Sequence, residues 1–145
     1  MFIYLCTYLV ECPTWLDGWI DGRSVNLGCL YFNKNLGEMS FDVVYDYCKT
    51  LKYEHLKNGY LVEIYNSTQQ TFLKEKIHEI DPSKVWWTGL TERETEGIWK
   101  WNHTDNIATY FSWGPNQPDN HNGDEDCMML FANTDFEWND THCAH

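Results

Sequence analysis

A chain of 145 residues, 43% apolar and 17% aromatic, can bury one compact core and is too short for two domains. Its formal net charge of −12 excludes nucleic acid and anionic membrane surfaces as partners, because both require clustered Lys and Arg to displace counterions. By the same charge, cations and neutral molecules are the natural partners, and no stretch approaches the ~20 apolar residues of a membrane span.

Residues 2–10 form an apolar run with two readings, a signal-peptide remnant without a basic leading region or a buried strand, and residues 1–11 are set apart as an extension on the first. Residues 39–51 carry Phe41, Val44, Cys48 and Leu51 at helical spacing behind Ser40, a good N-cap. Residues 67–80 open with Ser67 and Gln70 in a capping-box pattern and place Leu73, Ile77 and Ile80 on one stripe, until Asp81-Pro82-Ser83 stops the helix. Short β-rich runs at 29–32, 60–64, 85–90, 98–101, 128–131 and 136–138 complete an α+β pattern. Between 91 and 126 the chain is mostly polar and interrupted by Gly97, Gly114, Pro115, Pro118 and Gly123; a long loop of this kind in a compact domain is usually functional.

Six cysteines (Cys6, Cys12, Cys29, Cys48, Cys127 and Cys143), none in a C-x-x-C pair, point to disulfides, not a zinc knuckle, and to a secreted or extracellular setting. Asn66-Ser-Thr and Asn102-His-Thr are sequons that suit such a surface. Lys100 is the last Lys or Arg, and beyond it come Asp105, Asp119, Asp124, Glu125, Asp126, Asp135, Glu137 and Asp140. Residues 117–127 concentrate amide and carboxylate oxygens, and Asn139 and Asp140 add two more. Calcium takes six to eight oxygens and suits this mixture, whereas zinc prefers nitrogen and sulfur. Composition alone allows an ordinary solvated acidic loop.

The order of motifs decides against that alternative. Cys12-Pro-Thr-Trp15, Cys29-Leu-Tyr-Phe32, Cys48, Trp87-Thr-Gly-Leu90, Gly97-Ile-Trp-Lys-Trp101, Trp113, Gln117-Pro-Asp119, Glu125-Asp-Cys127 and Trp138-Asn-Asp140-Thr-His-Cys143 follow one another as in the C-type lectin-like domain, which residues 12–145 resemble. The resemblance implies two helices, two small antiparallel sheets and a long calcium-binding loop. It also implies the disulfides Cys12–Cys29 and Cys127–Cys143, a principal calcium site of Gln117, Asp119, Glu125, Asn139 and Asp140, and a cis bond before Pro118. An auxiliary calcium site would fall on Glu92, Glu96, Asn120 and Asp126. In the family the helical cysteine pairs with a final cysteine beyond the WND segment. The chain stops at His145, so Cys48 is read as left over by truncation, with Cys6 as the alternative partner.

By the same resemblance, two neighbouring sugar hydroxyls complete the calcium shell while bonding the ion's amide and carboxylate ligands, and the Gln-Pro-Asp order goes with galactose and N-acetylgalactosamine. His121 stands where galactose binders commonly carry an aromatic ring, and the glycine-rich stretch before Glu125 is short. Glycans on glycoproteins or cell surfaces are the implied partners, with multivalency expected because single lectin sites are weak and a homo-oligomer as one way to reach it. Two alternatives remain: a module of the same fold that binds protein, lipid or ice, and a metal-dependent hydrolase using His121 or His142, for which no H-E-x-x-H or nucleophile motif is present.

Overall fold

The computed structural model describes residues 2–8, 12–14, 17–33, 39–51 and 59–144, with residues 2–8 as backbone only. Among the described residues, eight strands and two α-helices run in the order β1 (Phe2–Tyr8), β2 (Trp19–Asp21), β3 (Cys29–Asn33), α1 (Phe41–Thr50), β4 (Tyr60–Leu61), α2 (Ser67–Ile80), β5 (Val85–Thr91), β6 (Lys100–Trp101), β7 (Cys127–Phe131) and β8 (Glu137–Thr141). The expected α+β fold with two helices and two small antiparallel sheets is what forms. One sheet is β2-β3-β1 with β4 against β1, and the other is β5-β7-β8 with β6 against β5. The two are joined into one path where β1 runs parallel to β5, Phe2 opposite Val85 and Tyr4 opposite Trp87. Residues 2–8, for which a leader remnant and a buried strand were both open, thus lie mid-sheet between β3 and β5. Trp15 and residues 9–11 lie outside the described residues.

Helix α1 packs Phe41, Val44 and Cys48 inward with Leu61, Trp87 and Met129, the stripe its spacing predicts. Ser40 stands at its N-cap without a side-chain capping bond. In α2 the cap lies one residue earlier than the Ser67/Gln70 pattern suggests: Asn66 Oδ1 accepts the Gln69 N–H at 3.0 Å. Gln70 is thereby released to the buried face, where its Nε2 donates to the Phe136 carbonyl at 2.8 Å and its Oε1 accepts from Trp138 Nε1 at 2.8 Å. The larger core gathers Leu73 and Ile77 of α2 with Trp86, Trp101, Met128, Leu130 and Trp138 of the second sheet.

Cys12–Cys29 and Cys127–Cys143 are bonded as the resemblance implies. The expectation that Cys48 is left over is corrected: it is disulfide-bonded, with a partner outside the described side chains. Closing the 16-residue span from Cys127 to Cys143 is worth about 3 kcal/mol by the chain-entropy argument, and it fixes the ends of β7 and β8 on either side of the acidic loop.

Candidate functional site

The loop after β6 rests on an aromatic floor. Trp113 meets Trp99 at 4.9 Å and Trp138 at 5.7 Å between ring centroids, both edge to face, and Phe111 stacks on Trp113. Backbone bonds pin the loop to β8: Trp138 N–H donates to Ser112 and Gly114 N–H donates to Trp138. Beyond this anchor the chain turns on Asn116, Asn120 and Asn122, all at positive φ, where asparagine is among the few side chains tolerated. The Gln117–Pro118 peptide is cis.

Asp140 is fully buried, which for a carboxylate requires compensation. Its Oδ1 accepts the Asp119 N–H at 3.1 Å and its Oδ2 the Asn120 N–H at 2.7 Å, so strand β8 holds the loop by its backbone. Glu125 is fixed similarly, with Oε2 accepting the His121 N–H at 2.9 Å and its own N–H donating to Asn120 Oδ1 at 3.2 Å. The outcome is a convergence of Asp119, Glu125 and Asp140, with one oxygen from each within 4.8 Å of the others. Two residues before Asp119, the half-buried Gln117 has an inaccessible Oε1 with no hydrogen-bond partner. Asn139 is half-buried on β8, its Nδ2 donating to the Asp140 carbonyl at 2.6 Å. His121 is exposed beside this group, and His142 pairs with Asp124 at 3.1 Å.

Of the residues expected to form an auxiliary site, Glu92 is buried. Its Oε2 accepts the Gly97 N–H at 2.6 Å, in a turn that Gly97 permits by adopting φ +78°, and its N–H donates to the Asp126 carbonyl. Glu96 Oε1 accepts from Asn120 Nδ2 at 2.6 Å. Across the turn, Arg93 forms a two-pronged pair with Asp42 at 2.6 and 3.2 Å, tying the segment to α1. Sequence reasoning missed Gln70, whose contacts orient Trp138 and therefore the strand that carries Asn139 and Asp140. The available signal was its position on the same helical face as Leu73 and Ile77.

Burial, followed by neighbouring acids including Asp140, pushes the carboxyls of both Glu125 and Glu92 above their ordinary value of 4.5. In chelator the folded state therefore holds more protons than the unfolded chain above that value. The contribution of these two carboxyls to stability is then fully present below it and is lost as pH rises through the raised values. Thermal melts in chelator are expected to show this loss at weakly acid pH, and a melting temperature that rises over the same interval would contradict the assignment.

The sequence of residues 37–145 matches the family model described as Lectin C-type domain, three quarters of the chain. The chain belongs to the C-type lectin domain family. It is 30% identical over 139 residues to a perlucin-like protein of Mytilus galloprovincialis, covering 95% of this chain and 80% of that one. Its identity to the asialoglycoprotein receptor 1 of Mus musculus is 36% over 98 residues, which is 63% of this chain but 32% of the receptor. Among solved structures, the mouse scavenger receptor C-type lectin carbohydrate-recognition domain superposes with a TM-score of 0.69 at 28% identity, over 90% of each chain. The C-type lectin CEL-I from Cucumaria echinata gives 0.75 at 23% identity over 92% of this chain and 91% of its own, a likeness of fold. Among the described residues no helix of this lectin domain is long and apolar enough to cross a membrane.

Proposed function

We propose that this C-type lectin domain is a calcium-dependent, extracellular carbohydrate-binding module, not an enzyme, and that its ligand is a terminal sugar of the galactose or N-acetylgalactosamine type. The observation that carries the reading is the convergence of the Asp119, Glu125 and Asp140 oxygens close in sequence to the unpartnered, buried Oε1 of Gln117. An oxygen stripped of water with nothing to accept from costs about 1–3 kcal/mol, and three crowded carboxylates repel one another. A hard cation relieves both, and an all-oxygen donor set of carboxylates and amides fits calcium.

Gln117, Asp119, Glu125, Asn139 and Asp140 would hold the ion, which when bound supplies coordination to two neighbouring sugar hydroxyls. The chain's own part is direction: the amides of Gln117 and Asn139 donate protons to the sugar oxygens, and the carboxylates of Asp119 and Glu125 accept them. His121 offers an imidazole face beside the group. Similarity to a protein named for asialoglycoproteins supports a glycan partner. A glycan array read with calcium and again with chelator tests the proposal. Retention of galactose-type glycans with calcium and their loss with chelator is expected, while signal that survives chelation would identify a protein-, lipid- or ice-binding module instead.

Glycosylation of the domain itself follows from the same setting. Asn66 and Asn102 are exposed, and Asn66 caps α2 through its oxygen, leaving its nitrogen for modification. Asn139 also heads a sequon, yet it sits in β8 as a calcium ligand of this proposal. Peptide mapping after expression in a secretory host is expected to find glycan at Asn66 and Asn102, and glycan at Asn139 would refute its role as a ligand.

A further inference from the structure

The residues aligned with an auxiliary cation site are arranged differently from those of the principal group. Among the described residues, Asp119, Glu125 and Asp140 are the acidic trio whose oxygens gather within 4.8 Å, and Glu92, Glu96 and Asp126 form no such trio. Glu92 is committed to the Gly97 N–H. Asn120, which would have to offer its amide oxygen to a cation, already accepts the Glu125 N–H with it, while its amide nitrogen donates to Glu96 and its backbone N–H to Asp140. One residue thus links three pieces of chain: its side chain joins the turn after β5 to the segment just before β7, and its backbone N–H is held by strand β8.

We propose that Asn120, held by Glu96, is a positioning residue for the principal group, and that this second acidic set is a metal-free strut, so that the domain takes up one calcium ion. The inference rests on the calcium reading above. Its chemistry is distinct, because a strut needs a hydrogen-bond acceptor at position 96, whereas a cation site needs a negative charge there. Glu96→Gln keeps the acceptor and removes the charge; Glu96→Ala removes both.

Native mass spectrometry and calorimetric calcium titration of the wild type and both variants, together with amide exchange at Glu125 in chelator, separate the two. One ion per wild-type chain is expected. Glu96→Gln is expected to bind with unchanged affinity and Glu96→Ala about fivefold more weakly, since the bond is to a charged but exposed group. Amide exchange at Glu125 should quicken in Glu96→Ala alone. Two ions in the wild type, with one lost in Glu96→Gln, would overturn the proposal, as would variants that behave alike. If the wild type binds no calcium, the lectin reading falls. The exchange comparison, made without metal, still decides whether the strut exists.

Discussion

Adding calcium to about ten times its dissociation constant is expected to stabilise the folded domain by about 1.4 kcal/mol, a rise of about 3–6 °C in melting temperature for a domain of this size. The source of the gain is built into the loop. Asp140 is wholly buried and its charge is offset by two backbone N–H groups, while Asp119 and Glu125 each bring a further oxygen within 4.8 Å. The fold therefore holds like charges together before any cation arrives, and the cation recovers that cost. Asp140→Asn keeps an acceptor for the loop backbone but removes the buried charge, so it should still fold and lose the calcium-dependent shift. Scanning calorimetry of both proteins with calcium and with chelator reads the difference. A wild-type midpoint that does not move at millimolar calcium would remove the main support for the site.

The double substitution Gln117→Glu with Asp119→Asn is expected to invert sugar preference while leaving calcium uptake intact. It conserves total charge and exchanges the places of a proton-donating amide and a proton-accepting carboxylate on two sides of the cis-linked Pro118. A galactose-type diol then meets donors where it needs acceptors, and an equatorial, mannose-type diol gains the pairing. One mismatched polar contact at a desolvated site costs about 1–3 kcal/mol, a factor of roughly 5 to 150, which is enough to reverse a modest preference. His121→Trp should act separately, since position 121 is exposed next to the acidic group and an indole face would add about 1 kcal/mol of packing against a galactose ring. Competitive elution with galactose and with mannose reports both. Unmoved preference in a double mutant that still binds calcium would mean that other loop residues choose the sugar.

Much of the scaffold was legible in the sequence because its signals are local. The apolar stripe of α1 and the stop at Asp81-Pro82 depend on local spacing, the disulfides Cys12–Cys29 and Cys127–Cys143 were implied by the family resemblance that the motif order carries, and all survive into the structure. The candidate ligands were legible for the same reason, since oxygen-rich residues cluster along the chain at 117–126 and 139–140. What the sequence left open depended on which distant groups meet. Gln70 suggested a capping box until the fold set it against Phe136 and Trp138, 66 and 68 residues away. Residues 2–8 carried no periodic mark to separate a leader from a strand, and only pairing with β3 and β5 placed them mid-sheet. Cys48 could not be assigned from spacing, because a disulfide is settled by where two backbones approach. The same holds for the acidic residues: their number and order are properties of the chain. That Asp119, Glu125 and Asp140 converge while Glu92, Glu96 and Asp126 do not was decided by tertiary structure, through the backbone bonds that Asp140 accepts and the three hydrogen bonds that Asn120 makes.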